Sequence, residues 1–245
     1  MKYKSIFVSD IHLGIKYSQT EKLLDFFRNN ESEYLYLVGD IIDGWAIKRK
    51  FYWPQSHSDV IQKILRKARK GTKVYYITGN HDEFIRPFAP ILLGNSLEIV
   101  NEAVHIGIDG KRYLVTHGDF FDSITMTKKW IAHLGDLGYD FLLFLNKYIN
   151  MARQTLGIGK YWSISKYVKD NVKKSVNFIN DFENILATYA KENNFDGVIC
   201  GHIHKPEIRE IQEIKYLNCG DWIENCTALV ETMEGEWKII DMLKS

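Results

Sequence analysis

The chain has few cysteines, few prolines, almost no net charge and no long apolar run. Each shortage excludes a class of protein. Its three cysteines, Cys200, Cys219 and Cys226, are an odd number without the CxxC spacing of a zinc site, which argues against a disulfide framework. They read as packing residues in a reducing compartment. Only 4 prolines and no Pro- or Gly-rich linker point to one core carrying an insertion, not two tethered domains. Lys plus Arg total 32 against 31 for Asp plus Glu, so a formal charge of +1 gives no global drive toward nucleic acid or an acidic surface. The longest uncharged run, Pro87 to Leu97, is about eleven residues, too short to cross a bilayer. Residues 1–6 carry Lys2 and Lys4 but no apolar signal core, so a cytoplasmic protein, at most peripheral to the inner membrane, is expected.

What is present is an ordinary globular composition of 245 residues, 45% hydrophobic and 26% charged, enough for one large core. Aromatics, at 13%, are the unusual component. Short β-branched and aromatic runs at Tyr3–Val8, Tyr34–Val38 and Lys73–Thr78 alternate with helical patterns at Thr20–Asn29 and Ser56–Lys70, the signature of an α/β fold. Strands at Ala103–Ile108 and Lys111–Thr116 flank the hairpin signal Asp109-Gly110. From Asp119 to Asn194 strand signals vanish and apolar residues recur three or four apart, as in Trp130, Leu134, Leu137, Phe141, Phe144 and Tyr148. Strands return at Gly197–Cys200, Glu207–Ile211, Lys215–Asn218, Thr227–Glu231 and Trp237–Asp241. The expected organisation is a main domain of 1–118 plus 197–245 with an inserted helical cap, 119–196, in one integrated unit.

The polar residues just past each strand are Asp10-Ile11-His12, Gly39-Asp40, Gly79-Asn80-His81-Asp82, His117-Gly118-Asp119 and Gly201-His202-Ile203-His204. Functional groups of open α/β sheets gather outside the carboxyl ends of the strands, so these five clusters are expected to converge. A lone histidine is more often structural than functional. Five strand-end clusters of Asp, Asn and His are not explained by independent core or surface placement. The adjoining glycines Gly39, Gly79, Gly118 and Gly201 allow tight turns and close backbone approach, although glycine after a strand is also an ordinary turn residue.

The order DxH, GDxxD, GNHD, HGD and GHxH resembles the calcineurin-like metallophosphoesterase superfamily, and the blocks run from Asp10 to His204. Within it, Gly39-Asp40-Ile41-Ile42-Asp43-Gly44-Trp45, the helical insertion and Asn218-Cys219-Gly220-Asp221-Trp222 resemble the UDP-2,3-diacylglucosamine diphosphatase branch of lipid A biosynthesis. The resemblance implies a sandwich of two mixed sheets built on βαβαβ and flanked by helices. It also implies two divalent metal ions, one on Asp10, His12 and His204, the other on Asn80, His117 and His202, with Asp40 bridging. Carboxylate, amide and imidazole suit manganese, iron or zinc, with manganese the family's choice. His81 would stabilise the transition state or protonate the leaving oxygen, and Asp43 would orient it. The diphosphatase branch carries GNRD where this chain has GNHD. An arginine only stabilises charge, whereas His81 can also donate a proton, so a broader phosphodiesterase or phosphatase acting on a soluble nucleotide stays open beside the diphosphatase. A non-enzymatic scaffold of the same fold would have eroded its ligand set, and every ligand position is present.

Between Met126 and Val176 nine Lys or Arg face three acids, a local charge of about +6. One reading is a cap whose apolar side receives acyl chains while its bases meet a phosphorylated, lipidated small molecule or membrane head groups. Lys166, Lys169 and Lys173, which share a helix face, and Trp162 are then the candidate substrate contacts. The other reading is a helical hairpin burying one stripe on the main domain and another on itself, with its lysines solvated. No nucleic-acid partner is expected, because no separate charged track follows a backbone.

Overall fold

The computed structural model describes residues 1–121 and 164–244, with side chains between 164 and 177 left undescribed. The chain divides into two compact units, Met1–Phe120 with Glu183–Ser245, and Phe121–Phe182. The first holds two sheets. In the seven-stranded sheet β1 (Lys2–Val8), β2 (Glu31–Val38), β3 (Lys73–Ile77) and β5 (Leu97–Val100) run parallel, each paired with the next. Three strands joined by antiparallel pairing complete it: β4 (Ile91–Leu93) at one edge, and β11 (Thr227–Glu231) followed by β12 (Trp237–Asp241) at the other. The five-stranded sheet runs β6 (Glu102–Ile106), β7 (Arg112–Thr116), β8 (Gly197–Cys200), β10 (Ile214–Asn218), β9 (Glu207–Ile211) and is likewise mixed. This is the expected α/β sandwich of two mixed sheets.

Side chains alternate across a strand, and the two faces of the larger sheet build two cores. Ile6 and Val8, Leu35 and Leu37, Val74 and Tyr76, and Ala228 and Val230 belong to one core. It also contains Leu23, Leu24, Phe26 and Phe27 of α1 (Thr20–Asn29) and Val60 and Ile64 of α3 (Gln55–Arg69). The intervening residues Phe7, Tyr36, Val38, Ile77 and Leu229 belong to the second core, with Tyr113, Val115, Ile199 and Leu217 of the smaller sheet. Burying a side chain of this size stabilises by about 1.5–3 kcal/mol, so both faces of β1 are committed.

Aromatic rings stack within this second core. Phe7 stacks on Tyr36 at 4.6 Å, and Tyr36 on Tyr75 at 5.1 Å. Among them the buried His105 contacts Glu231 through Nε2 at 2.8 Å and the Tyr36 hydroxyl through Nδ1 at 3.1 Å. Glu231 also accepts from Ser5 Oγ and from the Ile108 backbone N–H.

Three features depart from the sequence expectation. The hairpin at Asp109-Gly110 has a five-residue connection between Ile106 and Arg112, closed by Gly107 N–H to Lys111 O and Gly110 N–H to Gly107 O, with Gly110 at φ +76°. It is a turn followed by a left-handed glycine, not a two-residue loop. The β4–β5 pair is the second: β4 lies inside the uncharged run and β5 starts at its last residue, both too short and too close to Pro90 and Gly94 to show alternation. The third concerns the helix α4 (Ile164–Glu192), whose last residues belong to the sheet unit. Leu186, Ala187 and Ala190 are buried there, the buried Glu183 pairs with Lys205 and Arg209, and Lys191 pairs with Glu213. Helical periodicity continues unbroken through position 183, so sequence pattern alone cannot show where the second unit ends. Among the described residues, no helix is long and apolar enough to cross a membrane.

Candidate metal centre

Asp10 and His12 follow β1, Asp40 follows β2, Asn80 and His81 follow β3, His117 follows β7, and His202 and His204 follow β8. The fold brings these carboxyl ends together. Ligand atoms of Asp10, His12 and His204 lie within 4.8 Å of one another, and so do those of Asp40, His117 and His202. His204 Nε2 is 3.2 Å from Asp10 Oδ1, and His117 Nε2 is 3.3 Å from Asp40 Oδ2. Asp40 Oδ2 also lies 3.8 Å from His12 Nε2, which places this carboxylate between the two groups. A third group, His12, Asp43 and His81, meets the same distance limit.

The backbone is strained where these residues stand. Among the described residues nine non-glycine positions have positive φ, and five of them are Asp10, His12, Asp40, His202 and His204. At about 1–3 kcal/mol each, such conformations persist only where the surroundings enforce them, and they concentrate at functional sites. Close approach explains two glycines. A Cβ on Gly79 would lie 2.2 Å from Asp40 Oδ1, and one on Gly39 (φ +77°) would lie 2.2 Å from His117 Nδ1.

Hydrogen bonds fix which nitrogen of each imidazole faces inward. His117 Nδ1 lies 3.0 Å from the Val38 carbonyl, which only accepts, so Nδ1 carries the proton and Nε2 keeps the lone pair in the neutral ring. His12 Nδ1 donates to Asp43 Oδ2 at 3.1 Å, leaving its Nε2 likewise turned to the carboxylates. Buried atoms without a hydrogen-bond partner include Asp10 Oδ1, His12 Nε2, Asn80 Oδ1 and His117 Nε2. Each is an electron-pair donor that burial would penalise without a cation or proton between them. The donor set therefore fits a pair of divalent ions, and its oxygen and imidazole composition suits a first-row transition metal.

The electrostatics agree. Burial opposes a charged His12, yet Asp10 and Asp43 outweigh it and raise the imidazole to about 10. His117 is raised to about 10 against burial by Asp40. Asp10 is held well below the usual carboxylate range, because His12 and His204 overcome its desolvation. The cluster requires positive charge among its carboxylates, which protons supply in the metal-free chain.

A model of the calcineurin-like phosphoesterase family matches residues 3–206. The chain belongs to this family. It is 25% identical to the UDP-2,3-diacylglucosamine hydrolase of Vibrio atlanticus over 240 residues, covering 94% of this chain and 93% of that one. The Neisseria gonorrhoeae protein of the same name is 25% identical over 240 residues, 95% of both. Protein PH1004 from Pyrococcus horikoshii superposes with a TM-score of 0.52 at 12% identity, covering 98% of this chain and 88% of that one, and shares the fold. As a calcineurin-like phosphoesterase the chain is a metal-dependent phosphoester hydrolase.

Two parts of this phosphoesterase's site escaped sequence reasoning. Asp82, fully buried, accepts from the backbone N–H of Ile41 at 3.1 Å and Ile42 at 2.8 Å, tying the Asp40 loop to the Asn80 loop. Burial, helped by the charge of Asp40, pushes its carboxyl up to about 6. The segment Asn218 to Asn225 does the same for other ligands: Asn218 Nδ2 donates to Gly201 O, Trp222 N–H to Asp10 O, and Asn225 Nδ2 to His204 O. The family motif marked both places, but a role through loop backbone has no signature in residue type.

His81 Nδ1 lies 3.1 Å from Asp43 Oδ1, off the line of a hydrogen bond, and its ring packs 4.2 Å from the half-exposed Trp45. Asp43 also caps α2 (Gly44–Arg49) by accepting from Ala46 N–H at 2.7 Å. Trp162 lies outside the described residues. Lys166, Lys169 and Lys173 fall in the part of α4 whose side chains are not described.

Proposed function

We propose that this phosphoesterase hydrolyses the pyrophosphate of UDP-2,3-diacylglucosamine, releasing UMP and 2,3-diacylglucosamine 1-phosphate. The observation that carries the reading is the pair of ligand groups with Asp40 between them, in a chain similar to hydrolases of that name over nine-tenths of its length. Asp10, His12 and His204 would hold one ion, Asn80, His117 and His202 the other, and Asp40 both. Two bound ions, manganese by preference and iron or zinc by the same donor chemistry, would neutralise phosphate charge and lower the pKa of water. His81 presents an imidazole beside Asp40, its Nε2 3.9 Å from Asp40 Oδ2, where it would neutralise or protonate the leaving oxygen. Asp43 orients His12 by a hydrogen bond and places its charge beside His81. The basic, apolar stretch of the second unit supports a lipidated anionic substrate and peripheral membrane contact, with Lys166, Lys169, Lys173 and Trp162 as its contacts.

A second reading rests on His81 itself. A proton donor at this position serves a poorer leaving group than a sugar phosphate, which favours a broader phosphodiesterase or phosphatase acting on a soluble nucleotide. The two readings part on one comparison: turnover of the acylated UDP sugar against its deacylated form. Strong preference for the acylated substrate supports the first, and equal turnover supports the second.

A further inference from the structure

The loop that carries His12 is anchored by a helix that supplies none of the candidate ligands. Gly14, two residues after His12, donates its backbone N–H to Nδ1 of His57 at 3.1 Å. His57 stands in the first turn of α3 and is 2% exposed. A backbone N–H only donates, so Nδ1 is the unprotonated nitrogen and the ring is neutral with its proton on Nε2. Burial favours that state and holds the imidazole below its ordinary 6.5.

The ring is itself clamped. Tyr52 meets it edge-on at 5.7 Å and Trp53 at 5.3 Å, and Trp53 is fixed by its Nε1–H to Ser58 Oγ at 3.1 Å. Gly14 has φ +119°, and a Cβ there would lie 2.7 Å from Ile47 Cγ1 of α2. The loop therefore has no side chain at this point with which to hold itself. Its course depends on backbone hydrogen bonds: His12 N–H to Asp40 O, Leu13 N–H to Ile41 O, Asp43 N–H to Leu13 O, and Gly14 N–H to His57.

We propose that His57 is a positioning residue of the phosphoesterase reaction, its Nδ1 fixing Gly14 and through it the place of the His12 imidazole. The inference rests on the reading of His12 as a metal ligand. The substitution His57→Phe keeps an aromatic ring between Tyr52 and Trp53 but removes the acceptor. In His57→Asn the side-chain oxygen stands where Nδ1 stood and restores it.

The test is a calorimetric titration of the metal-free chain with Mn²⁺, beside kcat and KM on one phosphodiester substrate. His57→Phe is expected to weaken Mn²⁺ binding about tenfold, in the range seen when residues that orient metal ligands are lost. It lowers kcat with KM little changed, and His57→Asn returns Mn²⁺ affinity to within about threefold of the parent. Parental Mn²⁺ affinity in a folded His57→Phe chain overturns the inference, as does a His57→Asn chain no better than His57→Phe. If the parent itself binds no Mn²⁺, the metal-centre reading fails instead. Should His57→Phe not fold, amide exchange at Gly14 in the parent decides: slowed exchange supports the bond to His57, and the rate of an open loop refutes it.

Discussion

Asp43 Oδ2 accepts a hydrogen bond from Nδ1 of His12 at 3.1 Å, while its other oxygen lies the same distance from His81 Nδ1. One carboxylate thus orients a candidate metal ligand and sets its charge beside a candidate acid. The sequence motif suggests only the second task.

From this follows the behaviour of Asp43→Asn. The amide offers one acceptor oxygen where the carboxylate offers two, so it cannot accept from both His12 Nδ1 and the Ala46 N–H, and the negative charge beside His81 is lost. Metal affinity and kcat should each fall by about 10- to 100-fold, read by Mn²⁺ titration and steady-state kinetics. A loss confined to kcat would assign Asp43 to His81 alone.

Protons and metal ions compete for the site. His12 and His117, both raised to about 10, are protonated at pH 7 in the metal-free chain, and a metal ligand must be neutral. Mn²⁺ binding is therefore expected to release protons and to tighten from pH 6 to pH 8, measured by calorimetry in two buffers of different ionisation enthalpy. Stability of the metal-free chain follows the same groups. The raised imidazoles contribute stability that is complete below about 6.5 and lost as pH rises through about 10. Asp10 and Asp43, both lowered, contribute stability present above about 4 that disappears as pH falls through their folded values.

Gly79→Ala tests the close approach at Asp40. The added Cβ would lie 2.2 Å from Asp40 Oδ1 and 2.5 Å from its backbone nitrogen, so Asp40 must move. The expected result is a stability loss of about 1–3 kcal/mol in chemical denaturation, with a larger proportional loss of activity. An active, fully stable variant would show that Asp40 does not need its observed position.

Glu231→Ala separates the fold from the chemistry. It strips the acceptor from the buried His105, from Ser5 and from the Ile108 N–H, none of which reaches the candidate ligands. A loss of about 3 kcal/mol or more is expected in urea unfolding, with Mn²⁺ affinity unchanged in the folded variant.

Residue type and strand position made the candidate ligands legible in the sequence, because Asp, Asn and His at five strand ends are not explained by independent core or surface placement. The helices α1 and α3 and most strands were legible for a related reason: their apolar periodicity is imposed by the two cores. What pattern could not reveal acts through backbone. Asp82, Asn218, Asn225 and His57 hold loops by hydrogen bonds to main-chain groups, and the partner of such a bond is set by tertiary contact, not by spacing. Composition likewise does not say which aromatics are internal: Phe7, Tyr36 and Tyr113 stand between the sheets, where Tyr36 satisfies its hydroxyl on His105.

Asp40 is proposed to join two metal sites. The most direct test is the stoichiometry of Mn²⁺ bound to the chelator-stripped chain at saturation, with Asp40→Ala titrated beside it. Two ions per chain in the parent, and loss of the paired binding in Asp40→Ala, is the predicted result. Saturation at one ion or none in the parent, or unaltered binding in Asp40→Ala, would contradict it.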